Sequence, residues 1–505
     1  MPLPVLPSDS RRGLTLRLIL AVVLGGSIVL AFAPFSWWPL VILVPLLLIW
    51  LVPADLGARR AFLLGWAFGC GYFGFGVYWI YHSVLDFGGA PPVVAGGLTI
   101  LLAAYLALAP ATAIWLWQLL RRWHGEFTIW LLPLIWFSLE WIRGWALTGM
   151  PWLSLGYSHI DSPLAGFAPI VGVYGIGALS MLLSVALFRL IRKPGWIPVI
   201  VLVSVPATGY GLSSIQWTRP FSAPLQVTMV QGNIPQDLKW RKDLRRSIFD
   251  TYWRETSVHL DSDLIVWPEA ALPGTSEDIQ KEYLDPLDEL LHKENTTLLS
   301  GLLVSEEEGG RIYNSIAMFG MNNGIYHKRH LVVFGEYFPL RGILDGLRDW
   351  ISIPYSDLTA GPKEQPLMAI DSVTLGASIC FEDAFSREIM LAMPTANILV
   401  NISNDAWFGD SLAPDQHLEI ARMRAIETGR PMIRANNTGV SAFIDARGRI
   451  ISTIPKFETA SLTEDVYGYQ GTTPFYFFSR AQGYIAVFVL AGVIVAVGWT
   501  CLRRF

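Results

Sequence analysis

Acidic side chains are scarce in the first 219 residues of this 505-residue chain, with six Asp and Glu against twelve Lys and Arg. Residues 481–505 carry two basic groups and no acidic one. Over the whole chain 52% of residues are hydrophobic and only 15% charged, well below the usual quarter, and the mean hydropathy is +0.42. So little charge excludes a merely soluble protein. Basic excess is also missing, since the net charge is −4, which argues against a nucleic-acid-binding surface as the main business. Cysteine is nearly absent. Two of the three, Cys70 and Cys501, fall in apolar runs, where a filler role suffices. Cys380 has no partner within its own segment, which leaves it as buried filler or as a thiol kept for chemistry. Internal repeats and low-complexity segments are missing as well.

What the chain does have is partitioned. The flanks net +8, whereas residues 220–480 hold 35 acidic and 23 basic side chains, a net of −12. Apolar runs fill the first part: Leu18–Ala33, Trp38–Val52, Ala61–Val84, Val93–Leu120, Phe127–Ile142, Ala165–Ile191 and Trp196–Leu212, with an eighth, Tyr484–Leu502, near the end. A bilayer span takes roughly 20 apolar residues, so the second and fifth runs are short. Basic clusters at Arg11/Arg12/Arg17, Arg59/Arg60, Arg121/Arg122, Arg189/Arg192/Lys193 and Arg503/Arg504 occupy every second connection, as short cytoplasmic loops do. With the amino terminus inside, seven spans deliver residues 213–480 to the outer side and the eighth returns the chain. The expected domains are therefore 1–213 (seven spans), 220–480 (an outer globular domain) and 481–505 (the eighth span and a cytoplasmic tail).

A cleavable leader is the competing reading of the start, with Arg11-Arg12, an apolar stretch and Ala31-Phe32-Ala33, but Pro34 directly after the cut opposes it. Trp37, Trp38, Trp123 and Trp196 lie near span ends, as interfacial anchors do. Glu140 and Arg143 sit three apart at the end of the fifth run. They serve either a lipid headgroup or lateral access, or else form a self-neutralising helix-end pair.

The outer segment alternates short β-branched stretches with longer helical patterns. Strands are expected at Leu225–Val230, Asp263–Trp267, Thr297–Val304, Ser315–Phe319, Gly324–His327, Val373–Ile379, Asn397–Ile402 and Ser441–Asp445. Helices are expected at Asp243–Leu260, Asp278–Lys293, Phe385–Met393 and Pro414–Thr428. This predicts a layered α/β or α+β domain. Three strand-like runs end on chemistry: Trp267-Pro268-Glu269, Lys328 with Phe334-Gly335-Glu336 eight residues on, and Ile379-Cys380-Phe381-Glu382. A cysteine nucleophile needs a base for its proton and a cation for the resulting charge. Glu269 suits the first role if burial raises its pKa, and Lys328 the second and the later oxyanion. Glu336 and Glu382 suit the orientation of Lys328 or of an incoming amine.

In this order the motifs resemble the Glu–Lys–Cys signature of the nitrilase, or carbon–nitrogen hydrolase, superfamily. The opening Val230-Gln231-Gly232-Asn233-Ile234-Pro235-Gln236 and the stretch Asn401–Gly409 fit the same pattern. With seven spans before it and one after, the whole chain is similar to the bacterial apolipoprotein N-acyltransferases. The resemblance implies an αββα sandwich on a polytopic helical membrane protein of about eight transmembrane helices in the bacterial inner membrane, its catalytic domain periplasmic. It implies Cys380 as nucleophile, Glu269 as general base and Lys328 as oxyanion stabiliser, with Glu336, Glu382 and Trp240 in supporting places. Phe381 departs from the tyrosine some relatives carry. The implied reaction moves an acyl chain from a phospholipid, through a thioester, to the α-amino group of the S-diacylglyceryl cysteine that begins an apolipoprotein. No cofactor, metal or nucleic acid enters it.

Alternatives are a membrane-anchored amidase or nitrilase that uses water as acceptor, and a transporter with an outer binding domain. Against the transporter, the spans show no obvious paired broken helices and few buried charges. His417 is read as a surface residue rather than the base of a Cys–His pair. His327 and His330 have ligand spacing but lie in an extended segment without a second cluster, so a metal site is not expected. Arg422, Arg424, Arg430 and Arg434 are read as a solvated face with phosphate contact as the alternative, and Tyr337–Asp357 as either an apolar lid or a core-covering helix.

Overall fold

The computed structural model describes residues 11–306, 310–339 and 357–502. The expected lid therefore lies, apart from Tyr337–Pro339 and Asp357, outside the described residues. The chain divides into two compact units. One takes in residues up to Tyr78, Gly96–Ile215 and the chain from Phe477 onward; the other takes in Trp79–Ala95 and Gln216–Tyr476.

The first unit is helical. Helical segments occupy the positions of all eight apolar runs, because an uninterrupted apolar sequence has no other way to satisfy its backbone in lipid. Arg11–Ala31, Pro92–His124, Pro163–Arg192 and Phe475–Gly498 are each long and apolar enough to cross a membrane. Ala58–Gly76 followed by Ile80–Phe87 makes a fifth only if its 62° bend lies within one span. Leu40–Leu51 and Trp196–Leu212 are shorter apolar helices, and Leu132–Arg143 has only 12 residues. The last helix begins at Phe475 rather than near 484, since Phe475, Tyr476, Phe477 and Phe478 continue the apolar run upstream of Arg480.

Glu140 and Arg143 are both buried, and both bind backbone. Arg143 donates to the carbonyls of Met150 (2.5 Å) and Trp152 (2.7 Å) and to Ser154 Oγ (3.0 Å), while Glu140 Oε1 accepts from the Leu155 N–H at 2.9 Å. Beside them, among Tyr72, Phe73 and Trp136, a cavity of ≈ 10 Å³ remains, room for about one water. The pair thus anchors the 150–155 loop.

The second unit contains two six-stranded sheets. The strands are β1 (Thr218–Gln231), β2 (Leu264–Val266), β3 (Thr297–Ser305), β4 (Ile312–Gly320), β5 (Gly324–His327), β6 (Met368–Ile370), β7 (Val373–Ile379), β8 (Ile398–Ser403), β9 (Met432–Asn436), β10 (Ser441–Ile444), β11 (Ile450–Ile454) and β12 (Ala460–Gly471). Their orders are β12-β1-β2-β3-β4-β5 and β11-β10-β9-β8-β7-β6. The centre of each sheet is parallel, β1-β2-β3 in one and β7-β8-β9 in the other, with antiparallel strands outside.

Alternation along the strands builds three apolar layers. Val227, Met229, Leu264 and Val266 meet Leu375, Ile379, Val400, Ile402 and Ile433 between the sheets. The opposite face of the first sheet, through Ile265, Leu298 and Trp267, packs on the helices Arg245–Thr256 and Asp285–Lys293. Leu399, Met432 and Ala442 of the second sheet pack on Ala421 and Ala425 of the helix Ala413–Thr428. The result is a helix–sheet–sheet–helix sandwich, whose strands read as continuous apolar runs because both faces are buried.

We expect Arg143→Met to leave two carbonyls and a hydroxyl buried without their donor, at about 3 kcal/mol. Thermal unfolding of the detergent-solubilised protein should show a lowered Tm, whereas an unchanged Tm would deny the anchor.

Candidate active site

Each of the three motif residues follows a strand. Glu269 comes three residues after β2, across Pro268; Lys328 directly follows β5; Cys380 directly follows β7. Parallel strands end at one edge of a sheet, where side chains from successive loops converge. Gly301 on β3 permits the Glu269 turn to lie close, because a Cβ there would stand 2.6 Å from Ala270 N and 2.7 Å from the Glu269 Cα.

The structure brings Glu269, Lys328 and Glu336 together. Lys328 Nζ lies 2.9 Å from Glu336 Oε1 and 3.4 Å from Glu269 Oε1, with its side chain 1% exposed. Asn314 on β4 donates through Nδ2 to both carboxylates, at 2.7 Å to Glu269 and 2.8 Å to Glu336. The second oxygen of Glu336 accepts from the Val332 N–H at 2.8 Å. Burial works to remove the Lys328 proton, but Glu336 and Glu269, with Cys380 and Glu382 behind them, outweigh it and hold the ammonium well above the usual lysine range. This lysine is a permanent cation.

Cys380 opens a 3₁₀ turn, Cys380–Ala384, with φ +52°, a left-handed conformation that costs a side-chain-bearing residue free energy and survives only when neighbours enforce it. Two groups do so. Glu382 Oε2 accepts from the Ile379 N–H at 2.7 Å, and Asn401 Nδ2 donates to the Cys380 carbonyl at 3.2 Å. Burial, then Glu269, push the thiol well above its ordinary pKa, against the opposing pull of Lys328. The resting group is therefore a thiol, and a thiolate arises only as its proton leaves.

Glu382 is fully buried and saturated. It accepts from Tyr326 Oη at 3.0 Å and from the N–H groups of Arg329 (2.7 Å), His330 (3.1 Å) and Ile379. Burial raises its pKa in spite of Lys328 and these donors. It ties the Lys328 loop to the Cys380 turn and is not placed to orient Lys328 directly. Phe381 is half-buried, edge-on to Phe385 at 5.1 Å. Trp240 ends the short helix Gln236–Lys239, half-buried.

Several residues escaped the sequence. Asn314, Tyr326 and Lys239 carry no motif of their own. Lys239 is fully buried, donates to the Glu269 carbonyl at 2.9 Å, and burial, against Glu269 and Cys380, brings it down to about 8. Its position beside Trp240 was the available signal. His417 is a correction: far from being a surface residue, it is 0% exposed, because the helix Ala413–Thr428 is covered on nearly all sides and an amphipathic reading fails there. Arg424, Arg430 and Arg434 are likewise buried, not a solvated face.

A cysteine, a carboxylate and an unchanging ammonium at strand ends of an αββα sandwich define a carbon–nitrogen hydrolase, and a family model of that name, Carbon-nitrogen hydrolase, matches residues 226–468. Residues 24–186 match the Apolipoprotein N-acyltransferase N-terminal domain. Apolipoprotein N-acyltransferases of Methylococcus capsulatus (40% identical, over 91% of this chain and 92% of that one) and Nitrosomonas europaea (40%, over 95% and 97%) align nearly end to end, as does that of Vibrio cholerae (36%, over 94% and 96%). The chain belongs to the apolipoprotein N-acyltransferase family; it is an acyltransferase enzyme and a membrane protein.

Asn314→Leu removes the donor shared by two carboxylates. It should lower acyl transfer about 10- to 100-fold with little change in the apparent KM for the lipid, and steady-state kinetics on the folded variant check both.

Proposed function

We propose that this enzyme takes an acyl chain from a membrane phospholipid onto Cys380 and passes it to the α-amino group of an S-diacylglyceryl cysteine at the start of an apolipoprotein. The observation that carries the reading is a buried thiol beside Glu269 and the Lys328 ammonium in a chain that matches this family nearly end to end. In the first half-reaction Glu269 takes the thiol proton as sulfur attacks the ester carbonyl. Lys328 stabilises the negative charge that develops. The C–O bond then breaks, the lysophospholipid oxygen takes the proton from Glu269, and a thioester remains.

In the second half-reaction the amine attacks the thioester, Glu269 accepts its proton, and the C–S bond breaks to give the amide. The returning proton restores the thiol. Two half-reactions through one covalent intermediate predict ping-pong kinetics. Glu336 holds Lys328, Glu382 fixes the turn, Trp240 and Phe381 border the site, and no cofactor takes part. The alternation of basic and non-basic connections supports an inner-membrane protein of about eight spans, with domains at 1–213, 220–480 and 481–505 and the middle one periplasmic. Amidase chemistry with water as acceptor is the second reading, favoured only by the αββα domain, which would serve both.

The test is mass spectrometry after incubation with phospholipid alone. The wild-type chain should gain one acyl mass on Cys380, discharged by a diacylglyceryl-cysteine peptide, and Cys380→Ala should gain none. Glu269→Gln should slow adduct formation by about 10²- to 10⁴-fold. Discharge by water as fast as by the peptide would favour the hydrolase, and turnover without an adduct would overturn the thioester.

A further inference from the structure

Directly behind the Cys380 turn lies a buried ionic lattice that the proposed chemistry does not use. His417, on the helix Ala413–Thr428, bridges two carboxylates: its Nδ1 stands 2.8 Å from Asp405 Oδ1 and its Nε2 3.0 Å from Asp383 Oδ1. Arg434, on β9, spans the same pair, at 3.2 Å to Asp383 Oδ2 and 3.3 Å to Asp405 Oδ2. All four side chains are fully buried. Arg434 also donates to Asn401 Oδ1 at 2.7 Å, and Asn401 in turn donates to the Cys380 carbonyl. Asp383 is the fourth residue of the turn that Cys380 opens.

Charge balance decides the state of the imidazole. Two carboxylates against one guanidinium leave a negative charge that a protonated His417 cancels, and an uncancelled buried charge is costly. Among the described residues no His, Cys, Asp and Glu group is arranged to hold a metal ion, and here a guanidinium already joins the carboxylates.

We infer that His417 is a positioning residue for acyl transfer: as an imidazolium between Asp383 and Asp405 it completes a lattice, through Arg434 and Asn401, that holds Cys380 in its left-handed conformation facing Glu269. The lattice reaches the nucleophile by two routes, the Asp383 end of its own turn and the carbonyl of Cys380 itself. Burial and Arg434 oppose the proton, Asp383 and Asp405 outweigh them, and the imidazole is pushed up to about 9. Burial opposes ionisation of Asp405 too, yet His417 and Arg434 hold it below its ordinary pKa. Because the folded-state value lies above that of a free histidine, the stabilisation is complete below about pH 6.5 and is lost as pH rises through about 9.

This inference rests on Cys380 being the residue acylated, so the experiment measures acylation directly. Full-length protein in detergent is mixed with phospholipid, and the first-order rate of acyl adduct formation on Cys380 is followed by mass spectrometry over a range of pH, beside a thermal melt. His417→Gln should remain folded, keep its apparent KM for phospholipid, and acylate about 10- to 100-fold more slowly. In the wild type the rate should fall as pH passes about 9, and that fall should be missing from the variant. Asp405→Asn, which keeps the shape and removes one acceptor, is the second variant with the same expected loss. A wild-type acylation rate in whichever variant folds overturns the inference while leaving the thioester reading intact; a wild-type chain that is never acylated overturns both.

Discussion

One buried ammonium organises this site. Lys328 lies between the carboxylates of Glu269 and Glu336 with almost no exposure to water, and neither sign of charge is tolerable there without the other. Asn314 closes the arrangement by donating to both acids. The lysine is thereby fixed in charge and position, while the thiol of Cys380 is kept protonated by burial and by the nearby negative charge. A carboxylate pair and the ammonium it holds thus stand beside a buried, protonated thiol.

The sandwich sets the distances. The first sheet carries Glu269 after β2 and Lys328 after β5, and the second carries Cys380 after β7. The apolar layer between them, from Val266 and Met229 on one side to Ile379 and Ile402 on the other, therefore sets how far Cys380 stands from Glu269 and Lys328. Glu382 spans the same gap with hydrogen bonds, reaching Tyr326 on β5 and Arg329 and His330 just after it, as well as Ile379 at the end of β7. Packing brings the two sheets to the right separation, and this carboxylate locks the two loops in register.

The parts legible in the sequence were those with a local signature. Strands β5 and β7 fall where short apolar runs end on a charged or reactive residue, so that Lys328 and Cys380 directly follow them, while Glu269 comes just beyond β2, across Pro268. The short strands β6, β9, β11 and the long β12 were missed, since Met368–Ile370 is too brief for a period and the outward positions of β12 are ordinary polar residues. His417 was misread for a physical reason: Asp415, Glu419 and Arg422 suggested a solvated helix, yet burial of a charge is decided by partners distant in sequence, here Asp383, Asp405 and Arg434. Asn314 was invisible for the same reason. In the membrane unit the apolar runs located the helices, but length alone distinguishes four clear spans from the shorter segments. Arg143 proved to be a loop anchor because its acceptors are backbone carbonyls, which no side-chain pattern announces.

The most direct test of the clamp is a double-mutant cycle between Lys328→Met and Glu336→Gln, read as the single-turnover rate of Cys380 acylation. If the buried ammonium and its acids act as one unit, the double variant should be about as slow as Lys328→Met alone, because Glu336 has nothing to hold once the cation is gone. Losses that multiply, each substitution slowing the reaction independently of the other, would contradict the account.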